Sequence, residues 1–488
     1  MGKFNKPTIT THKTDTVNLG GGASYSLNDG RKALAGVVLN SMLKGGSYYQ
    51  SENDRIEEVF NLAKMNPEFA AKAMIYARQE GNLRSVSHVL ANAVVEAASG
   101  SPYLRNAIKQ TVVRPDDMTE MAALWFSRHK GTMLPNSMRR AFKDLLESGK
   151  WNKFQLKRYL KERSNVKLKD IILLTHPKDK DGAFKAIIEG TLEAPKSIEA
   201  KLATGTKAST AFEELLDNGT LGYMAAMKNI RNALETGLSE EALDKWVTLV
   251  TNKNKILKSR MLPFRYYDAW IAIKNLPIDH FKLAKVKAAI NQAMIHSAHN
   301  LDLAVPNEKV ALVLDQSGSM GWGTNGAWKH ALTLAAVMYH AFGGENVVVY
   351  FFDSHVQKVD FGNKLPLDIL ESYRPNGGAT YFHAPMQLLV ETKTKVDKIV
   401  MLTDMQLYGG YMGRRDASFD TYWNQYRTIS PKVKMLFWNL EGYNGGTPLE
   451  LKDNILMANG FSDKLLSVIP KMWVDSEALI NEIENIKL

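Results

Sequence analysis

The run Val310-Ala311-Leu312-Val313-Leu314-Asp315 constrains this chain more than any other feature, because it is wholly apolar until it ends on an acid. A strand that is apolar at consecutive positions must be buried on both faces, which calls for a sheet covered by helices on each side. The residues that follow agree. Trp328 to Phe342 reads as a helix, Asn346 to Asp353, Lys398 to Asp404 and Lys432 to Leu440 read as strands, and Ser476 to Lys487 reads as a closing helix. This alternation implies a doubly wound, mostly parallel α/β domain over residues 305–488, with its site at the carboxyl ends of the strands.

Asp315-Gln316-Ser317-Gly318-Ser319 follows the first strand directly, where such folds hold ligands. A hard divalent cation, Mg²⁺ above all, takes oxygen ligands and keeps some of its waters. Asp315, Ser317 and Ser319 supply part of that shell on one loop. Thr380 and Asp404 are further oxygens on neighbouring loops. The set resembles the metal-ion-dependent adhesion site of von Willebrand factor A domains: Asp-x-Ser-x-Ser, then Thr, then Asp. One position departs from the pattern, since Tyr381 follows Thr380 where an acid is usual. The overlapping Gly321-Trp322-Gly323-Thr324-Asn325-Gly326 fits a dinucleotide loop in spacing, but it starts too far from the strand and reads as a ligand rim. His296 and His299 lie one helical turn apart with no third zinc ligand at a suitable spacing.

Upstream the texture differs. Residues 1–30, with Gly20-Gly21-Gly22, read as an extended, unpacked arm. Residues 31–304 read as helices joined by short turns: Ile56, Val59, Phe60 and Ala63 recur at helical spacing, as do Val286, Ala289, Ile290, Ala293 and Met294. A long helical stretch of this kind suggests stacked pairs of HEAT or armadillo type. The charge is divided between the two parts. From Val305 onward 17 Lys and Arg face 20 Asp and Glu, so the whole-chain net of +11 resides in the helical part, which carries +14. An excess of that size on one part points to a polyanionic partner. The chain has no Cys, which excludes disulfides and thiolate chemistry, and no apolar run long enough to span a bilayer. A cytoplasmic monomer is expected. The N-terminal Gly2 lacks the Ser or Thr that myristoylation requires, and no constellation of an enzyme active site is present.

A basic helical array followed by such a metal-site domain resembles the Ro ribonucleoprotein family with its TROVE module. Gly45-Gly46-Ser47-Tyr48-Tyr49, the segment Leu221 to Asn232, and Leu262-Pro263-Phe264 resemble family motifs in the same order. Arg158-Tyr159-Leu160-Lys161-Glu162-Arg163 and Lys169 to His176 resemble the family segment that lines the hole of a ring of helical repeats and holds single-stranded RNA. The resemblance implies RNA contacts by Arg158, Arg163 and His176. Arg139, Arg140, Lys157 and Lys161 belong to the same basic run, which holds 14 Lys and Arg against 6 Asp and Glu between Arg139 and Lys185. The resemblance also implies Y-like small RNA and single-stranded RNA ends as partners, with an exoribonuclease as a further one. Read from the residues alone, such a run is also compatible with a solvated helix face, and His176 before Pro177 with a helix cap. A protein-binding scaffold that completes its metal with a partner's carboxylate is the alternative reading.

Overall fold

The computed structural model describes residues 15–26, 30–38, 51–160, 165–192, 207–297, 308–321, 326–407, 418–443, 446–451, 454–460 and 463–488. Gly45 to Tyr49, Lys161, Arg163, His299, Trp322 to Asn325 and the boundary at Val305 lie outside them.

From Gly30 to Ser297 every regular element among the described residues is a helix. The sequence supplies the starts. Ser51 and Asp54 form a reciprocal cap on Glu52–Met65, Asn66 caps Pro67–Gln79, and Ser239 caps Glu240–Val250. Each helix then buries one apolar face. Ala70, Ala71, Ala73 and Ala77 are fully buried, and these small side chains let neighbouring helices approach closely. Packing runs in two layers: Glu52–Met65, Arg84–Ala97 and Pro115–Arg128 stack in succession, and Pro67–Gln79, Leu104–Thr111, Asn136–Glu147 and Leu168–Thr175 stack beside them. No described helix is long and apolar enough to cross a membrane.

The C-terminal part holds a six-stranded sheet made of β3 (Val310–Asp315), β4 (Val347–Phe352), β5 (Val356–Val359), β6 (Lys398–Thr403), β7 (Lys434–Asn439) and β8 (Ile455–Asn459). The order is β5-β4-β3-β6-β7-β8, parallel except for the edge strand β5. β3 lies in the middle and is buried at all six positions, as its apolar run requires. The chain first builds outward on one side of β3 through β4 and β5, then returns to build β6, β7 and β8 on the other. The carboxyl end of β3 is therefore the point at which the winding reverses.

Both ends of the helical part dock on the sheet part. At the first end Lys72 Nζ donates to Glu484 (2.9 Å), Arg55 pairs with Glu441 (2.9 Å), and the Tyr76 hydroxyl donates to Glu482. At the last end Trp270 Nε1 donates to Glu371 (2.9 Å), Lys287 pairs with Asp368 (2.6 Å), and Asn291 Oδ1 accepts from the Leu367 amide (2.9 Å). Arg260, which follows Lys253–Ser259, donates to the Glu80 carbonyl after Pro67–Gln79 at 3.4 Å, so a late helix of the array also touches an early one.

The arm departs from expectation. Residues 15–26 are packed, because β1 (Thr16–Val17) pairs antiparallel with β2 (Ala23–Ser24), and Tyr25 exchanges backbone hydrogen bonds with Thr447. The glycines that suggested flexibility allow close approach instead: a Cβ at Gly22 would sit 2.6 Å from the Leu407 side chain.

Candidate metal centre and basic surface

Four strand ends and loops converge at the winding reversal. Asp315 ends β3, and the ladder continues one step further as the Gln316 amide donates to the Phe352 carbonyl (2.8 Å). The loop bearing Thr380 is fastened to the Asp315 loop by two backbone hydrogen bonds, Gly318 N to Gly378 O (3.1 Å) and Gly377 N to Gln316 O (3.0 Å). Two more bonds tie it to the end of β4: Ala379 N donates to Ser354 Oγ (3.0 Å) and Tyr381 N to Asp353 O (3.1 Å). Gly378 has φ 122° and a Cβ there would lie 3.1 Å from Ser354 Oγ, so this crossing needs glycine. Asp404 follows β6 directly. The arm braces the segment after it, since Asn18 Nδ2 donates to the Met405 carbonyl (3.3 Å) and the Gly20 amide to Gln406 Oε1 (3.1 Å).

Asp315, Ser317, Thr380 and Asp404 are buried, and Ser319 is half-buried with its Oγ 3.4 Å from Ser317 Oγ. Asp315 Oδ1 accepts from the Ser317 amide (2.9 Å) and Oδ2 from the Thr403 hydroxyl (2.7 Å). Asp404 Oδ1 accepts from the Gln406 amide (3.2 Å) and the Ser319 hydroxyl interacts with the same carboxyl group, while its buried Oδ2 has no hydrogen-bond partner within bonding distance. A buried carboxylate oxygen without a donor is costly unless it is protonated or a cation meets it. The donor set is therefore of the kind a hard divalent ion takes. No cluster of three or more His, Asp or Glu suited to a metal occurs among the described residues, so an ion here would depend on two carboxylates and the hydroxyls.

Burial raises both carboxyls well above the usual range. For Asp404 the neighbouring Asp315 charge adds to burial. For Asp315 hydrogen bonds from Ser317 and Thr403 oppose it, and Asp353 adds to it. The consequence has a definite sign. The folded pair retains protons that the unfolded chain has already released above the ordinary value of 3.8, so metal-free stability falls as pH rises past that value. A divalent ion bound here would displace those protons, and its affinity would grow over the same window. Melting curves in EDTA and in Mg²⁺, between about pH 5 and about pH 8, are expected to separate as pH rises. A separation independent of pH would contradict this electrostatic account.

Asp353 and Thr403 are not among the residues the sequence singles out. Thr403 has a visible signal, as the hydroxyl one residue before the strand-ending acid. Asp353 follows β4 directly, as Asp404 follows β6.

The basic candidates are less concentrated. Arg158 is exposed at the end of Lys153–Arg158, with Lys157 half-buried beside it, and Tyr159 sits under the Arg114 guanidinium at 4.5 Å. His176 is exposed and caps Leu168–Thr175 in the left-handed conformation, φ 45°, as its place before Pro177 suggests. Arg139 donates to Asn136 (2.8 Å), and Arg140 lines a separate cleft of about 750 Å³ with Trp125 and Met133.

Comparison with known proteins matches this architecture. The chain is 14% identical to the protein in the crystal structure of Deinococcus radiodurans RO (RSR) protein, which superposes over 91% of this chain and 100% of that one with a TM-score of 0.61. At that identity the likeness establishes the fold. Telomerase protein component 1 of Rattus norvegicus and of Mus musculus are each 22% identical over 301 residues, 44% of this chain. The matched region spans only 11% of the length of those relatives. The TROVE domain model matches residues 29–190 and 185–318, which together make up more than half of the chain and run through the helical part into β3 and the Asp315 loop. The chain belongs to the TROVE domain family.

Proposed function

We propose that the chain is an RNA-binding ribonucleoprotein scaffold and not an enzyme. In this reading the helical array is a ring of HEAT-like repeats closed by a von Willebrand A-like domain. Single-stranded 3′ ends of noncoding or misfolded RNA enter its central opening, and Y-like small RNA binds the outer basic surface. The observation that carries the reading is the division of charge, +14 on the helical part against −3 on the sheet part. Family membership and the docking of both array ends on the sheet part support it. A cytoplasmic home and a nuclease partner belong to the same reading.

Asp315, Ser317, Ser319, Thr380 and Asp404 would hold one divalent ion, Mg²⁺ by preference. When bound, it supplies an electrophilic position that an outside carboxylate or water completes. The donorless Asp404 Oδ2 also favours a second reading, in which this position binds an acidic group of a protein partner.

The RNA reading is tested by reversing charge at the candidate lining. Arg158→Glu combined with Arg163→Glu is expected to weaken binding of an RNA with a single-stranded 3′ tail. The salt dependence should flatten by about 0.7 for each phosphate that the variant no longer neutralises. His176→Ala should cost less, since it removes one hydrogen bond or stacking surface. Filter binding across a salt series reads both. Wild-type affinity and slope in the double variant would return these residues to an ordinary solvated face.

A further inference from the structure

Two carboxylates near the start of Pro115–Arg128 gather an unusual number of cations. Asp117 is fully buried and Asp116 is 1% exposed. Asp117 Oδ2 accepts from Arg78 Nε (3.1 Å) and Nη2 (2.9 Å) and from the Val113 and Arg114 amides (3.0 and 2.9 Å). His88 Nε2 lies 3.0 Å from Oδ1. These contacts already satisfy Asp117. Arg84 is then added, donating from Nε to Asp117 (3.2 Å) and from Nη2 to Asp116 (2.8 Å). Arg114 makes a two-pronged pair with the same Asp116 (3.0 and 2.9 Å). Lys150 joins them, its exposed stem ending in an ammonium that donates to the Val112 carbonyl (2.7 Å).

Three guanidiniums thus bind two carboxylates, and the Lys150 ammonium lies within the field of Asp117 and Arg78. Like charges held this close repel unless an anion accompanies them. The ammonium of Lys150 registers that environment: burial depresses its pKa, and Arg78 depresses it further against the pull of Asp117. Arg78 is enclosed, but Arg84 and Arg114 keep 30% and 36% of their side chains exposed. Neither Nη1 has an acceptor among the described residues. Asp116 holds both forks from behind, with Asp117 also holding Arg84, and the Arg114 guanidinium carbon lies 4.5 Å from the centre of the Tyr159 ring. An arginine held in this way has lost its side-chain freedom before any ligand arrives.

We propose that Arg84 and Arg114 form a preorganised site for a phosphate group, and that its ligand is a backbone phosphodiester of single-stranded RNA. The site rests on the RNA-binding reading for its ligand, and on the Asp116 geometry for its existence. Planar guanidinium forks match phosphate oxygens in two-pronged geometry. Tyr159 and Trp151 flank the cations, since the Trp151 indole donates to the Val113 carbonyl (3.3 Å), and aromatic rings beside phosphate contacts can stack on bases. Arg158 adjoins Tyr159, which links the site to the sequence-derived candidates.

The test uses the full chain and a labelled oligouridylate, with anisotropy read across a KCl series and melting curves taken for every variant. Arg114→Gln is expected to weaken binding about tenfold and to lower the salt slope by about 0.7, with Arg84→Gln behaving alike. Arg114→Lys keeps the charge but not the fork, so its affinity should fall while its slope holds. In a parallel arm, inorganic phosphate should raise the wild-type melting temperature above that in KCl of equal ionic strength, and should not do so in Arg114→Gln. If the wild type binds the oligonucleotide and both folded Gln variants match it, the site is overturned and the RNA reading stands. If the wild type binds no RNA yet responds to phosphate through Arg114, free phosphate is the ligand and the RNA assignment falls. Should the Gln variants melt early, unchanged affinity in Arg114→Lys overturns the site.

Discussion

Asp117→Ala is expected to destabilise the helical part by about 3–5 kcal/mol, the scale on which a buried ion pair fails when one partner is removed. The variant would leave Arg78, 4% exposed, without its carboxylate, and the Val113 and Arg114 amides without an acceptor. Burial works to raise the Asp117 carboxyl, but His88 and Arg78 more than offset it and hold it well below the usual range. Its stabilising contribution is therefore present above the unfolded carboxyl value of about 3.9 and is lost on acidification below it. Asp144→Ala is the control, because its pair with Arg105 lies at the surface, with 51% and 24% of the Arg105 and Asp144 side chains exposed, and surface pairs contribute about 0–1 kcal/mol. Urea unfolding separates the two. Equal midpoints for both variants would show that the Asp117 network is not what holds these helices.

The second large effect concerns the metal. Asp315→Ala should abolish divalent-ion binding, since Asp315 is one of only two carboxylates in the donor set and the only charged group on its loop. Titration calorimetry with Mg²⁺ and Mn²⁺ reads this directly. Helical content and RNA affinity should change little, because the proposed ion site lies on the part that carries −3. Unchanged ion binding would remove Asp315 from the site. A large loss of RNA affinity in a folded variant would mean that the ion orders the array or touches RNA.

The parts of the fold legible in the sequence are those whose burial leaves a local pattern. β3, β4, β6 and β7 are continuous apolar runs between turns, and each is found within a residue or two of its expected span. β5 escapes such a reading because it is a four-residue edge strand, Val356–Val359, whose middle residues Gln357 and Lys358 are exposed. β8 escapes it although buried at all five positions, because Ile455–Asn459 is too short a run to be told from part of a helix. The metal-site candidates can be read because two of their three segments end strands. The bonds that bring Thr380 to them run between backbone atoms and leave no trace in side-chain identity.

The Asp116–Asp117 network is invisible in the sequence for a different reason. Arg78, Arg84 and Arg114 are spread along the chain, and nothing in their local spacing separates them from surface charges until the helices stack. The arm misleads in the opposite sense. Three successive glycines have the composition of a flexible segment, but at Gly20 and Gly22 the missing Cβ is what lets the hairpin lie on the Leu407 backbone.

The claim on which the rest depends is that the helical part binds RNA as a single strand. Filter binding of wild-type protein to an RNA with a single-stranded 3′ tail, against a blunt duplex of the same strand, tests it across a salt series. Tighter binding of the tailed RNA is expected, with affinity falling at a slope of about 0.7 per neutralised phosphate. Equal, weak binding of both RNAs, or binding indifferent to salt, would contradict it.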